Sequence, residues 1–361
     1  MSRLVIKHNG KIPLISESYN KIGEWPKPYG IGMLVTLDVE TSYSNVVWST
    51  GGNTFTASQF NIANNGSPGG AAAAIQPRAI AFSSTINRFV TFGGVTSPLP
   101  FVMYSDNLLT WATASHAYSA GQQGYDIDYS PSLNMFVAVG ENKPQYSTTG
   151  IGWTLSTSTM GTIWRNVKWI DGISKFIVSN ISSSPYFASS TDGINWTTST
   201  AVPLLDVAYS DNLGRLVGVG AKFGANIAFS DDSGSTWTYI TQSFASFTDT
   251  RKDTIAYSPQ LDLFVIAGLG TGSNPFATNK YFTSKTGLTW SEVTGATNSW
   301  NHINWSNEMQ QFWITPQSNY DFARSYAYSS DGVNWVTASI DAGSLTSGTA
   351  LKMITTKNIF I

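Results

Sequence analysis

The sequence predicts an all-β protein, a seven-bladed β-propeller in which each blade has four strands. A short Ser…Gly…Trp motif recurs along the chain, pairs of apolar runs of strand length precede most copies, and helical periodicity is absent. The spacings between successive motif tryptophans are 42, 43, 41, 53 and 45 residues for Trp111, Trp153, Trp196, Trp237, Trp290 and Trp335. Four-stranded units of about 40 to 50 residues are typical of propeller blades.

The clearest copy of the motif runs from Ser230 to Trp237 and reads Ser-Asp-Asp-Ser-Gly-Ser-Thr-Trp. Strand-like residues on both sides of it indicate a β-hairpin. Gly234 supplies a position where φ can be positive, and the Asp232 carboxylate can accept hydrogen bonds from backbone N–H groups of the turn. Trp237 brings a large apolar surface back under the hairpin. The motif therefore predicts a tight turn that carries its own hydrophobic anchor.

The other copies of this hairpin are usually one residue shorter. Those that keep both the glycine and the tryptophan are Ser147 to Trp153, Ser190 to Trp196, Ser284 to Trp290 and Ser329 to Trp335. Ser105 to Trp111 has Leu108 where glycine is expected, and Ser49 to Phe55 ends in phenylalanine. Together with the clearest copy this makes seven hairpins. In the interior units an inner pair of apolar strands precedes the hairpin, which gives four strands per unit.

The two ends of the repeat predict how the ring closes. The hairpin around Ser49 to Phe55 has no inner pair ahead of it, whereas residues 353–356 and 358–361 read as an inner pair with no hairpin after it. We therefore expect residues 31–58 and 345–361 to share one blade, which leaves no free sheet edge. The predicted propeller spans residues 31–361.

Residues 1–30 stand outside the repeat and contain five basic residues. Two readings of this N-terminal arm remain open. It either packs on the propeller or attaches the protein to a larger assembly. The second reading predicts other structural proteins of that assembly as partners.

Composition argues against several functional classes. Charged residues make up 12% of the chain and the formal net charge is −2, so no electrostatic footprint for nucleic acid or an anionic membrane is present. The absence of cysteine excludes disulfides and thiolate metal sites. The N-terminus has no apolar stretch of signal-peptide length, and no run approaches about 18 apolar residues. We expect a soluble protein made in the cytoplasm, without membrane insertion.

The hairpins resemble the Asp-box, or BNR, repeats of sialidase-like β-propellers. Ser230, Asp232, Gly234, Thr236 and Trp237 match that pattern, and shortened forms match at Asp192, Gly193 and Trp196 and at Asp331, Gly332 and Trp335. The resemblance implies that these residues build structural turns remote from any active site. The weakly charged blades, rich in Ser, Thr and Asn, and the short N-terminal arm also resemble bacteriophage virion proteins of the tail or fibre, which implies a virion location.

The sequence does not contain a recognisable set of catalytic residues of the sialidase type. A sialidase uses three arginines, a tyrosine nucleophile with a glutamate partner, and an acid. Arg78, Arg165 and Arg251 precede inner strands, but the Arg-Ile-Pro signature of that family is missing. Four glutamates follow residue 30, and none has an obvious tyrosine partner. We expect no enzymatic activity.

Cofactor and metal sites are not indicated either. Asp126 with Asp128, and Asp231 with Asp232, could ligate a hard cation, but turn caps and polar strand positions explain them as well. The three histidines are isolated, and no glycine-rich phosphate loop leads from a strand into a helix. We therefore predict no cofactor and no metal.

Binding by loops is the remaining function. Turns within the inner pairs and within the Trp hairpins share one face of a propeller, while the connections from second to third strand and between blades share the other. The second set is longer here, and long loops on a rigid scaffold commonly carry recognition. The candidate ligand- or partner-binding residues on that face are Phe276, Asn279, Lys280, Trp300, Tyr320, Asp321, Phe322 and Arg324. Their aromatic and polar side chains suit a sugar, a protein interface or simple packing of the loops on the blades.

The function predicted from these observations is a non-enzymatic structural or receptor-binding propeller of a phage virion. It would be anchored by its N-terminal arm and would present a loop face to a host glycan or a neighbouring virion protein. A sialidase-type glycoside hydrolase and a free soluble lectin are the alternatives.

Overall fold

The computed structural model describes residues 32–39, 44–49, 56–59, 75–95, 101–119, 122–158, 160, 163–180, 184–199, 203–220, 226–240, 254–267, 280–294, 300–307, 309–316, 325–339, 353–355 and 359–360. The N-terminal arm lies outside these residues, so its role stays a prediction. Regular structure in the described part is β-strand, apart from one 3-10 turn at Asp171–Ile173. No helix in that part is long and apolar enough to cross a membrane.

The strands in chain order are β1 Gly32–Val39, β2 Ser44–Ser49, β3 Thr56–Gln59, β4 Ile75–Ser83, β5 Arg88–Val95, β6 Phe101–Ser105, β7 Ala112–Ala114, β8 Gly124–Ser130, β9 Met135–Gly140, β10 Gln145–Ser147, β11 Thr154–Leu155, β12 Asn166–Ile170, β13 Lys175–Ser179, β14 Phe187–Ser190, β15 Thr197–Ser199, β16 Asp206–Ser210, β17 Arg215–Gly220, β18 Asn226–Ser230, β19 Thr238–Tyr239, β20 Ile255–Ser258, β21 Leu263–Ile266, β22 Lys280–Ser284, β23 Ser291–Thr294, β24 Trp300–Ser306, β25 Gln311–Pro316, β26 Ser325–Ser329, β27 Val336–Ser339, β28 Met353–Thr355 and β29 Ile359–Phe360.

Strands β4 to β27 form six four-stranded antiparallel sheets, each a meander of consecutive strands. We number them sheet 2 (β4–β7), sheet 3 (β8–β11), sheet 4 (β12–β15), sheet 5 (β16–β19), sheet 6 (β20–β23) and sheet 7 (β24–β27). The prediction of an all-β fold made of four-stranded units is confirmed. The first strands of successive sheets, from β4 with β8 to β20 with β24, lie against one another, so the first strand is the inner strand of its unit.

Sheet 1 combines strands from both ends of the repeat. It contains β1, β2 and β3, and both β28 and β29 pair antiparallel with β1. The expectation that residues 353–361 form an inner strand pair of their own is wrong. The eight residues of β1 accommodate both short segments, β29 opposite Gly32 and Met33 and β28 opposite residues 36–38.

The apolar runs of the second strands are explained by burial on both faces. All six residues of β9 are buried. Between sheets 3 and 4, Val137 and Val139 of β9 pack with Phe176 and Val178 of β13. Side chains of this kind stabilise the fold by about 1.5–3 kcal/mol each when fully buried. A strand that is covered on both faces has a continuous run of apolar residues in its sequence, rather than an alternation of apolar and polar residues.

Aspartates that are buried or partly buried connect the inner strands of neighbouring sheets. Asp126 and Asp128 of β8 accept hydrogen bonds from the backbone N–H groups of Val167 and Trp169 on β12, at 2.9 and 2.7 Å. Asp206 of β16 accepts one from Ile255 of β20 at 3.0 Å. These carboxylates satisfy N–H groups on strand edges that no further strand covers.

The hairpin turns are closed by their own side chains. In sheet 4 the Ser190 hydroxyl accepts a hydrogen bond from the Gly193 N–H at 2.8 Å, and Asp192 accepts from Ile194 and Asn195 at 2.8 and 2.7 Å. Trp196 donates from its indole N–H to the Gly193 carbonyl at 3.3 Å. Gly193 has φ 71°, a conformation that favours glycine.

Two turns that have threonine in the aspartate position are held from the preceding sheet. Arg88 pairs with Asp106 and also donates to the Thr149 carbonyl of sheet 3 at 2.9 Å. Arg215 pairs with Asp231 and donates to the Thr286 carbonyl of sheet 6 at 2.9 Å.

Ahead of two of the turns that carry aspartate, the residue at the position of this arginine is apolar. It is Met135 ahead of the Asp192 turn and Leu263 ahead of the Asp331 turn, and each lies against the glycine of that turn. Ahead of the Asp232 turn the same position is occupied by Lys175, so the residue type here does not follow the turn type in every sheet.

Candidate anion-binding site

The meander topology gives the protein two opposite faces. The turn face holds the connections from first to second strand and from third to fourth strand of each sheet. The loop face holds the connections from second to third strand and between sheets. Lys280 and Trp300 begin strands on the loop face. The other predicted binding residues, Phe276, Asn279, Tyr320, Asp321, Phe322 and Arg324, lie outside the described residues, so the predicted site stays a prediction.

On the loop face, two side chains are placed by β-bulges at the start of inner strands. The register of β4 against β5 shifts between Pro77 and Ala79, and that of β8 against β9 shifts between Gly124 and Asp126. Arg78 and Tyr125 are therefore the inserted residues of these two bulges. Bulges re-aim side chains and are frequent beside functional sites. A third shift lies between Trp300 and His302, so Asn301 is the inserted residue there and the predicted residue Trp300 directly precedes it, as Gly124 precedes Tyr125.

Gly124 allows the second bulge to lie close to sheet 2. A Cβ atom added there would be 2.5 Å from the ring of Phe92. Any side chain would push β8 away from β5, and with it Tyr125. Glycine is therefore needed at this position for the close approach of the two sheets.

Two arginines from different sheets meet at Tyr125. The Cζ atom of Arg165, which directly precedes β12, lies 4.1 Å from the centroid of the Tyr125 ring, and that of Arg78 lies 5.0 Å from it. The Tyr125 hydroxyl donates to Oε1 of Glu141 at 2.5 Å, and the Gln123 N–H donates to Oε2 at 3.2 Å. We call Arg78, Tyr125, Glu141 and Arg165 the loop-face cluster.

The electrostatics of the loop-face cluster favour an added anion. Burial lowers the pKa of Arg78, and the nearby charge of Arg165 lowers it further. Burial also raises the pKa of Tyr125, as does its hydrogen bond to Glu141, so the phenol stays protonated near neutral pH. Two guanidinium groups thus face one carboxylate in a partly buried place. A ligand carboxylate or phosphate would balance this charge through the bidentate geometry that arginine offers.

The Tyr125–Glu141 pair was not predicted from the sequence. The expectation that no glutamate has an obvious tyrosine partner is wrong for Glu141. The two residues are 16 positions apart, but β8 and β9 form a hairpin in which Gly124 lies opposite Gly140. Extending that register by one residue places Glu141 opposite Gln123. The bulge at Tyr125 then brings the Tyr125 hydroxyl to the Glu141 carboxylate, and no sequence signal for that bulge is present.

The remaining residues considered as ligands have structural partners. Asp126 and Asp128 bond to the next inner strand, as described above, and Asp231 pairs with Arg215. Asp232 accepts from the Thr236 N–H and hydroxyl at 2.8 and 2.6 Å. Within the part of the chain that the structure describes, no three His, Asp or Glu side chains are grouped as metal ligands would be. Arg251 lies outside that part.

Comparisons with known proteins support the fold alone. No protein-family model and no curated protein match the chain. Among solved structures, a Lactobacillus plantarum protein is 10% identical over 90% of this chain and 99% of its own, with a TM-score of 0.58. The chain is also similar to YCF48 bound to a D1 peptide, with 14% identity, coverage of 74% and 81%, and a TM-score of 0.49.

A third similar structure is a GH74 enzyme of Niastella koreensis, 16% identical, with coverage of 86% and 47% and a TM-score of 0.35. The similarity to the Lactobacillus plantarum structure shows a shared fold, and the six four-stranded sheets are those of a β-propeller. The identities are too low to transfer a function.

Proposed function

We propose that this protein is a non-enzymatic propeller that binds an acidic ligand on its loop face, with the loop-face cluster as the recognition site. The observation that carries this proposal is the meeting of two arginines from different sheets on one tyrosine beside a single carboxylate. A glycan or a protein segment with an accessible carboxylate or phosphate fits this chemistry. The predicted residues of sheets 6 and 7 on the same face would extend the contact.

The test of this proposal is binding to an array of acidic and neutral oligosaccharides and acidic peptides. Hydrogen bonds to charged groups contribute about 1.5–3 kcal/mol each, so Arg165→Gln should weaken binding of an acidic ligand about 10- to 100-fold. The matched control is Lys143→Gln, which removes one positive charge from the same face outside the cluster. Equal losses in both variants would reject the cluster as the site.

We further propose that the ring has seven blades and is closed by sheet 1. The pairing of β28 with β1 supports this, since it joins residues near the two ends of the repeat. The chain has no cysteine, so Leu37→Cys with Ile354→Cys, a directly opposed pair, should form a disulfide on oxidation and raise the melting temperature. The control, Leu37→Cys with Met353→Cys, is out of register by one residue and should cross-link poorly.

The setting that we propose is a phage virion, in the tail or a fibre, with residues 1–30 as the attachment segment. The support is the resemblance noted above and the position of those residues outside the repeat. Virions assembled with a chain that lacks residues 1–30 should lose the protein, whereas the Arg165→Gln chain should be incorporated normally. Unchanged incorporation of the shortened chain would reject residues 1–30 as the attachment segment.

A sialidase-type hydrolase is the second candidate, and the Tyr125–Glu141 hydrogen bond is the observation that favours it. In such enzymes a tyrosine with a glutamate partner attacks the sugar, and arginines hold its carboxylate. Against this assignment, Arg78 and Arg165 lie over the Tyr125 ring, which is only 7% exposed. Turnover of a fluorogenic sialoside that is lost in Tyr125→Phe would establish the hydrolase and reject the non-enzymatic proposal.

A further inference from the structure

A groove opens on the turn face where the inner strands of sheets 4 to 7 converge. Its volume is about 250 Å³, which is room for roughly eight water molecules at about 30 Å³ each. Aromatic residues at the same position of four successive inner strands line it, and they are Trp169, Tyr209, Tyr257 and Trp305. The groove lies at the opposite end of the inner strands from the loop-face cluster, so it is a separate site.

Small residues leave the space for this groove. Ala208 and Ala256 lie between the aromatic positions, and Gly172 lies at the rim. A Cβ atom on Gly172 would be 2.1 Å from Oδ1 of Asp211 and 2.3 Å from the Tyr209 ring. The Asp211 carboxylate is therefore held directly against the Asp171–Gly172 turn.

The charge around the groove is negative. Lys168 lines it, but its Nζ atom lies 2.5 Å from Oδ1 of the fully buried Asp206 and donates to the Val207 carbonyl at 3.0 Å. That cation is thus neutralised within the protein. Asp171 and Asp211 are exposed at the rim. The Asp171 carboxylate accepts a hydrogen bond from the Trp169 indole N–H, which fixes it next to an aromatic wall.

We propose that this groove binds an organic ammonium group. Half-buried Trp169 and Tyr209 offer ring surface whose negative quadrupole attracts cations, and Trp is the best such ring. The two rim carboxylates add an ionic attraction that a neutral sugar or alcohol would not gain. The ammonium comes from a small quaternary amine or from the lysine side chain of a polypeptide, and the two sources share this chemistry.

Ligand-observed NMR titration of the full chain tests the proposal with two pairs of probes. The first pair is choline and its neutral isostere 3,3-dimethylbutan-1-ol. The second is N-acetyl-lysine amide and the same compound acetylated at Nε. Each cationic probe that binds should bind at least tenfold more tightly than its neutral partner. Preference for choline assigns a small quaternary amine, and preference for the lysine derivative assigns a polypeptide.

Three substitutions test whether the cationic probe binds in the groove. Asp211→Asn should weaken binding of the cationic probe about fivefold or more, and Trp169→Leu should weaken it similarly. Asp331→Asn removes the same charge from the turn face outside the groove and should change binding less than twofold. Loss of the near-UV circular dichroism signal would identify a variant that fails to fold, and the other variant then decides. Equal binding of charged and neutral probes, or equal effects of Asp211→Asn and Asp331→Asn, would overturn the proposal.

Discussion

The turn face and the loop face use charged residues in different ways. On the turn face, aspartates and arginines are mostly committed to the turn that contains them or to the turn of the next sheet. Hydrogen bonds from the Thr236 hydroxyl and N–H lower the pKa of Asp232 to about 2. On the loop face, Arg78 and Arg165 come from different sheets and converge on Tyr125 without closing any turn.

The charged residues of the turn-face hairpins therefore stabilise the fold, whereas those of the loop-face cluster are proposed to bind a ligand. Each turn-face motif is local, so it can be repeated from sheet to sheet with small variations such as threonine in place of aspartate. The loop-face cluster depends on two bulges and on the approach of three sheets, so it occurs once among the described residues. Changes in the turn-face hairpin motifs should therefore alter stability, and changes in the loop-face cluster should alter binding of an acidic ligand.

The largest effect on stability is expected at Gly287. It has φ 72°, and an added Cβ atom would lie 2.5 Å from Val217 Cγ2. Gly287→Ala combines left-handed strain of about 1–2 kcal/mol with a clash against sheet 5, so we expect a loss of about 2–3 kcal/mol in the free energy of unfolding. Denaturant unfolding measures it.

The control for Gly287 is Gly214, which has φ 62° and open space where its Cβ atom would lie. Gly214→Ala should cost only the strain, about 1–2 kcal/mol. If the two variants were equally stable, packing between adjacent sheets at the hairpin glycine would not contribute as described.

A smaller loss is expected when the arginine contact between sheets 5 and 6 is removed. Arg215→Gln abolishes the pair with Asp231 and the hydrogen bond to the Thr286 carbonyl. Because the pair is partly exposed, we expect the free energy of unfolding, measured with urea, to fall by about 1 kcal/mol. Arg165→Gln removes the cation–π contact with Tyr125 and should lower the free energy of unfolding by about 0.5–1 kcal/mol. A larger loss in Arg165→Gln would mean that the loop-face cluster is also structural.

The smallest effect is a pH dependence. The pKa of Asp232 is about 2 in the folded protein and near 3.9 in an unfolded chain. The carboxylate therefore contributes stability above about pH 4, and this contribution is lost as the pH falls toward 2. Asp232→Asn removes the titrating group, so its melting temperature should fall less steeply than that of wild type between pH 4 and pH 2. Parallel curves would contradict the assignment.

The sequence was sufficient for the strand pattern but not for the candidate site. Hairpins could be predicted because Ser230, Gly234 and Trp237 encode a turn within a few residues. The bulges at Arg78 and Tyr125 depend on the packing of neighbouring sheets, for instance Gly124 against Phe92, so no local signal identifies them. The same limit applies to β1, whose pairing with both β28 and β29 joins segments more than 300 positions apart in the chain.

Binding of one acidic ligand to a matched pair of variants tests the central claim most directly. Arg165→Gln and Arg215→Gln each remove one guanidinium group, the first from the loop-face cluster and the second from the turn face. We expect the dissociation constant, measured by calorimetry, to rise at least tenfold for Arg165→Gln and less than twofold for Arg215→Gln. Similar dissociation constants for the two variants would mean that the loop-face cluster is not the site that binds the acidic ligand.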